Sequence, residues 1–211
     1  MKERRKGLLW EMVLILLTVA ACLYSTGAGN IFGAKVDWSS QHSVFPEYFR
    51  QQFYRTGQFF PEFALNIGGG QNIYNFSYYG LFSPVVLIGY LLPNVKMSDY
   101  MMVASIVCLA AAVIILYRWL KSREFTAAVS GMTALMFLFA GPMIYQSSHQ
   151  IMFVNYMPFL CLTFWGIDRY FEQKKSGLLI GGTFLMIMTS FYFSIGGILA
   201  LGLYGIYRYA R

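Results

Sequence analysis

Charge is scarce in this chain. Only 12% of its 211 residues are charged, about half the usual share of a soluble domain, roughly 25%. That deficit excludes an ordinary water-soluble globule, because most of the surface would have no charge to solvate it. Histidine is scarcer still. His42 and His149 are the only two, which argues against a multi-histidine metal site. Three cysteines are present, Cys22, Cys108 and Cys161. Each lies inside an apolar stretch and reads as a small buried hydrophobe, not as a disulfide partner or a metal ligand. Acidic residues are few: nine Asp and Glu face sixteen Lys and Arg, for a net charge of +7. In a soluble protein that excess would point to nucleic acid. Here the basic residues flank apolar runs and act as orientation signals, so no nucleic-acid partner is expected.

What fills the chain instead is hydrophobic, 57% of residues, and it comes in long blocks. At about 20 residues per crossing, the length suffices for roughly five or six spans. The start, MKERRK followed by an apolar run, has the look of a signal peptide. No A-x-A-like site follows, and further apolar segments come later, so it reads as an uncleaved first span. The expected fold is all-α, a polytopic transmembrane helical protein. Spans are placed at about residues 8–27, 100–120, 125–145, 152–171, 177–191 and 193–207. The last two come from one apolar block, 177–207, which as a single helix would be about 46 Å long, too much for a core of about 30 Å without strong tilt. Two helices meeting near Phe191-Tyr192-Phe193 fit it as well.

Residues 28–99 are too polar to cross lipid as a plain helix. Within them, Phe45, Phe49 and Phe53 recur four apart, Pro46 suits a first turn, and Glu47, Arg50 and Gln51 take other faces. That pattern predicts a short interfacial helix over 44–54. The stretch 78–93 is short, contains Pro84, and reads as a marginal span or a dip that returns. Gly68-Gly69-Gly70 allow tight backbone but lack any nucleotide-binding pattern. They read as a turn between interfacial helices.

Charge sets the expected topology. If 78–93 does not cross and 177–207 is a hairpin, then MKERRK, RWLKSRE, RYFEQKK and YRYAR share one side. That side holds twelve of the sixteen basic residues. The positive-inside rule places it in the cytoplasm and the 28–99 loop outside. The turn QSSHQ then falls on the outer face too, which makes Asp37 and His149 candidates for one site.

The densest polar cluster is GAKVDWSSQHSVFPEYFR, with Asp37, Gln41, His42, Glu47 and Arg50. A carboxylate just beyond a transmembrane helix is well placed to act as general base on a hydroxyl, and Arg50 or a histidine can hold a phosphate. From spacing alone, the simpler account is that Asp37 and Ser39 cap a helix and solvate a loop. His149 with Asn155 forms a second cluster, and Asp168 beside Arg169 reads as part of an interfacial charge group.

Taken in order, these motifs resemble a known family. Asp37, the helix through Arg50, Gly57 with Pro61, the triple glycine and Tyr78-Tyr79 ahead of Ser83-Pro84 are similar to the first outer loop of the bacterial YfhO family. The run SSHQIMFVNYMPFLCLTFWGIDRYFEQKK resembles that family's His/Asn/Pro helix and its basic end. Phe63 stands where a tryptophan is common. Family members are longer, so the resemblance casts this chain as an N-terminal part of the family architecture. It implies a GT-C-like module with interfacial helices in a large first outer loop. It also implies a glycosyltransferase that takes a sugar from a polyprenyl-phosphate donor and passes it to a cell-envelope polymer such as teichoic acid. Asp37 would be the catalytic base, with Gln41, His42, Glu47, Arg50, His149 and Asn155 toward substrate. Membrane lipids are partners by location. No cofactor is required, and a hard cation held by Asp or Glu stays open. The alternatives are a non-catalytic lipid-binding or transport-type protein, or an inactive truncated remnant.

Overall fold

A computed structural model of the chain describes residues 2–26, 33 and 37–210, the side chains of 2–4 and 148 excepted. Gly27, the expected end of the first span, and most of the start of the long loop lie outside the described residues. The apolar blocks become helices. Helix α1 is Lys2–Thr26, and a π-helical turn occupies Trp38–His42. The amphipathic stretch forms α2, Val44–Thr56, closed by Gly57 at φ 75°, a left-handed conformation that glycine adopts freely.

Next come two-residue strands, β1 (Phe63–Ala64) and β2 (Gln71–Asn72), paired antiparallel with Phe63 opposite Asn72. The triple glycine is the turn between them, with φ of 57°, 80° and 100° at Gly68, Gly69 and Gly70. It joins strands, where the sequence had suggested interfacial helices, because three consecutive positive φ values reverse the chain and bring the flanking residues side by side.

A 3₁₀ helix, Ile73–Tyr79, and the six-residue α3, Pro84–Gly89, complete the loop. At 1.5 Å per residue α3 is about 9 Å long, far short of a bilayer core. The 78–93 stretch starts and ends at the same end of the molecule. Tyr78 bonds Gln150 there, and Leu92 accepts from Arg50 there.

The bundle follows: α4 (Met97–Ser122), α5 (Ala127–Leu138), α6 (Gly141–His149), α7 (Ile151–Gln173), α8 (Gly177–Thr189) and α9 (Phe191–Tyr209). Among the described residues, three helices are long and apolar enough to cross a membrane: Arg5–Thr26, Met97–Ser122 and Ile151–Gln173. The block expected at 125–145 is a bent pair, α5 and α6, with a 51° break. Pro142 sits at the start of α6, where its missing N–H cannot continue the preceding helix. Counting that pair as one span gives four.

The final apolar block is a hairpin. Ser190, with ψ 102°, breaks it, just ahead of the expected Phe191-Tyr192-Phe193. The Ser194 hydroxyl lies 3.0 Å from the Met186 carbonyl oxygen and 2.6 Å from the Ser190 carbonyl oxygen, so a single donor shared between them bridges the two helices across the break. Helix α8 lies close on α7. A Cβ at Gly166 would come within 2.5 Å of the Leu179 nitrogen, and one at Gly182 within 2.6 Å of Thr163 Oγ1. Small residues permit this backbone approach where lipid supplies no hydrophobic drive between helices.

Two apolar clusters result. One fills the bundle around Leu14, Leu109, Val113, Ala134, Val154 and Met186. The other lies under the long loop around Trp38, Phe49, Ile73, Val86, Met101 and Met152. Ile106 and Phe193 pack against both. The loop is therefore seated on one end of the bundle, the Asp37 end. The chain is an all-α polytopic membrane protein.

The opposite end is held by charge. Asp168 is buried on α7. It accepts from Trp119 Nε1 at 2.7 Å and from the Tyr204 hydroxyl at 2.8 Å. Arg208 Nε stands 2.8 Å and Arg123 Nε 3.6 Å from its oxygens, and Glu172 pairs with both arginines. The expected charge group at Asp168 exists, with Arg123 and Arg208 as its partners in place of the adjacent Arg169. It ties α4, α7 and α9 together.

Candidate active site at the Asp37 end

The π-helical turn that begins after Asp37 sets the site. Such turns carry one residue more per turn than an α-helix. Here the turn buries Trp38 and His42 while Asp37 stays half-buried at its start. The turn closes on the Trp38 carbonyl, which accepts from Ser43 N at 3.1 Å and Ser43 Oγ at 2.7 Å.

His42 is the centre of the cluster. Its ring meets Tyr79 edge-on, centroids 6.0 Å apart, and Tyr79 stacks on Phe45 at 4.5 Å. Burial pushes the imidazole below its ordinary pKa. The charge of Asp37, the main chain of His149 and the side chain of Gln150 pull it partly back. Neither ring nitrogen closes a hydrogen bond of ordinary length and angle, so the neutral ring keeps hydrogen-bonding capacity. Tyr78, the next residue before Tyr79, donates its hydroxyl to Gln150 Oε1 at 2.8 Å and meets Tyr192 edge-on at 5.9 Å. Burial, with Tyr79, Tyr192 and the Asp37 charge adding to it, pushes the Tyr78 phenol up to about 12.

The structure brings the long loop and the QSSHQ segment together where α6 ends and α7 begins, through Tyr78 with Gln150 and His42 with the His149 main chain. The His149 ring turns back on its own helix, stacked on Tyr145 at 4.1 Å with Nδ1 2.8 Å from the Tyr145 carbonyl oxygen. Its main chain and the neighbouring Gln150 face His42 instead. Gln41 lies in the same π-helical turn, half-buried.

Glu47 and Arg50 lie apart from this cluster. Arg50 is buried, and its Nη1 donates to the Leu92 carbonyl at 2.8 Å and the Val95 carbonyl at 2.7 Å, while Nη2 donates to Glu47 Oε2 at 2.5 Å. Glu47 in turn accepts from Met97 N at 3.3 Å and Gln51 Nε2 at 3.1 Å. The pair pins α2 to the turn that starts α4. A cavity of about 510 Å³ opens beside it, lined by Ser43, Tyr48, Gln51, Lys96 and Ser98 among others. On the other flank of α2, a second cavity of about 500 Å³ is lined by Phe45, Tyr48, Gln52, Arg55, Asn66 and Gly68.

Asn155 is fully buried in α7, one turn into the bundle from Gln150. Neither Oδ1 nor Nδ2 has a hydrogen-bond partner among the described residues, an arrangement that costs free energy unless something polar meets it. Among the described residues, no three His, Cys, Asp or Glu side chains are gathered as a metal site would need. Sequence reasoning missed Gln150 and Tyr192 as members of the cluster. No local pattern marks them, since their partners lie far away in the chain.

No curated protein and no solved structure matches the chain. The family model described as bacterial membrane protein YfhO matches residues 11–211, nearly all of it. The chain belongs to the YfhO family of bacterial membrane proteins, a family associated with membrane glycosyltransferases.

Proposed function

We infer that the Asp37 end is the reaction centre of a GT-C-type membrane glycosyltransferase, acting on the outer face. The donor is a polyprenyl-phosphate-linked sugar and the acceptor a hydroxyl of a cell-envelope polymer such as teichoic acid. One observation carries the reading: a half-buried carboxylate, Asp37, lies close enough for its charge to act on the buried imidazole of His42, where the long loop meets the start of α7.

Asp37 takes the proton of the acceptor hydroxyl as general base. The hydroxyl oxygen attacks the anomeric carbon, the bond from that carbon to the phosphate oxygen breaks, and polyprenyl phosphate leaves with inversion. His42 stands next to the base, and its neutral ring keeps one N–H that donates to the leaving phosphate. Arg50 already gives three hydrogen bonds to protein oxygens. Its part is to position α2, while Lys96 and Arg55 bring cations to the two cavities that flank that helix. Asn155 offers a buried amide to a polar group that enters the bundle. The scheme requires no metal.

The test is transfer of radiolabelled sugar from polyprenyl phosphate by membranes that carry the protein. Asp37→Asn keeps the shape and removes the base, and the expected loss is at least about 100-fold, the lower range for a general base. Normal transfer by Asp37→Asn would remove the proposed role.

A further inference from the structure

Helix α2 has two faces of different chemistry. Its inward face carries Phe45, Phe49 and Phe53, which belong to the apolar cluster under the long loop. Its outward face repeats at helical spacing through Val44, Tyr48, Gln51, Gln52 and Arg55. That face is one wall of the cavity of about 500 Å³, and Asn66 and Gly68 belong to the wall opposite. The volume lies within the roughly 300–1,000 Å³ of small-ligand sites.

The groups around this cavity are open to a ligand. Arg55 is the charged residue of the lining and is exposed, and among the described residues it forms no ion pair. Gln51 gives one N–H to Glu47 at 3.1 Å, while the side-chain amides of Gln52 and Asn66 are bonded to no other described residue. The Gln71 amide folds over the same wall, since a Cβ at Gly68 would come within 2.6 Å of its Nε2. The Tyr48 ring lines this cavity and its neighbour. It meets Phe49 edge-on at 6.5 Å, and no described ring stacks on its face. The floor is Phe45, stacked on Tyr79 at 4.5 Å, and Tyr79 in turn meets His42. The cavity therefore lies one aromatic layer from the Asp37 cluster.

Each of these groups selects a chemistry. Side-chain amides offer donors and an acceptor together, which suits hydroxyl groups. The negative face of a tyrosine ring suits the C–H edges of a sugar or polyol. A guanidinium fork suits a phosphodiester. Acyl chains find no match on a wall of amides and guanidinium.

We propose that this cavity is the subsite that holds the acceptor polymer. Tyr48, Gln52 and Asn66 read one hydroxyl-bearing unit, and Arg55 holds the phosphodiester joined to it. The polymer's role as acceptor rests on the sugar-transfer reading, whereas its binding needs no donor. These side chains set position and specificity and do not touch the reacting atoms.

Binding is measured by isothermal titration of the full chain in phosphatidylcholine nanodiscs. The probes are a glycerol phosphate hexamer, maltohexaose as hydroxyls without charge, and linear polyphosphate as charge without hydroxyls. The hexamer should bind tightest, with affinity falling about ten-fold in Arg55→Gln and about five-fold in Tyr48→Ala. Arg55→Lys should recover part of the loss, and unchanged melting temperatures verify that the variants fold. Either comparison probe binding as tightly as the hexamer overturns the proposal, as does unchanged hexamer binding in Arg55→Gln/Tyr48→Ala. In the transfer assay the same double variant should raise KM for the polymer and leave kcat near the natural value. An unchanged KM overturns the subsite while sugar transfer stands. Hexamer binding without any transfer by the natural protein removes the sugar-transfer reading and leaves the subsite in place.

Discussion

The hydroxyl of Tyr78 donates to Oε1 of Gln150 at 2.8 Å, across 72 residues of sequence. That one bond joins the long loop to the head of α7 and closes the cluster in which His42 and Asp37 sit. Tyr78→Phe removes the donor and leaves the Gln150 side chain short of a partner, at a cost of about 1 kcal/mol. The expected outcome is a modest drop in thermal stability with a clear loss of sugar transfer. Full transfer with reduced stability would show that the bond serves only the fold.

His42 predicts an acid limit. Burial holds its pKa in the folded protein below the ordinary value of 6.5. Below about pH 6.5 the unfolded chain takes up a proton that the folded one does not, so stability falls with pH until the folded pKa is reached. Above 6.5 the group contributes no pH dependence. Thermal unfolding between pH 7.5 and 5 should show this fall, and His42→Gln should flatten it. The charge of Asp37 opposes the shift, so Asp37→Asn should steepen the fall.

Arg50 gives a prediction about structure. It is buried, and it holds the carbonyls of Leu92 and Val95 as well as Glu47. Arg50→Ala leaves the Val95 carbonyl without its side-chain donor and takes one donor each from the Leu92 carbonyl and Glu47, which keep others, and should cost about 2 kcal/mol. Arg50→Lys supplies one ammonium where a fork is needed and should recover only part of that. Circular dichroism melts in detergent measure both.

These cases show which parts of the molecule the sequence makes legible. The membrane helices are legible because lipid requires long apolar blocks, and α4 and α7 enclose the expected spans 100–120 and 152–171. The break at Ser190 falls next to the aromatic trio, since a serine in an apolar run is the residue able to cap a new helix through its own hydroxyl. The Glu47–Arg50 pair is legible from its spacing of three along a helix. Its carbonyl partners are not, because they sit on a turn that only tertiary packing brings near. Asp37 and His149 were expected as candidates for one site on a shared face. A local contact orients the His149 ring, because Tyr145 is one turn back and stacks on the ring. Gln150 then takes the place that the histidine leaves.

At the far end, Asp168 predicts a separation of stability from chemistry. Its carboxylate is nearly enclosed by Arg123, Arg208, Trp119 and Tyr204. Asp168→Asn leaves two cations undercompensated and should cost about 3 kcal/mol. Sugar transfer per folded molecule should stay as it was. A specific loss of transfer at unchanged stability would tie this end to the reaction.

The account needs the Asp37 end outside the cell and the Asp168 end inside. Ser39 is exposed at the first and Ser122 at the second, and Cys22, Cys108 and Cys161 can be replaced by alanine to give a silent background. An impermeant maleimide applied to intact cells should label Ser39→Cys at once and Ser122→Cys only after permeabilisation. The reverse pattern would put Asp37 in the cytoplasm and contradict the proposed reaction at the outer face.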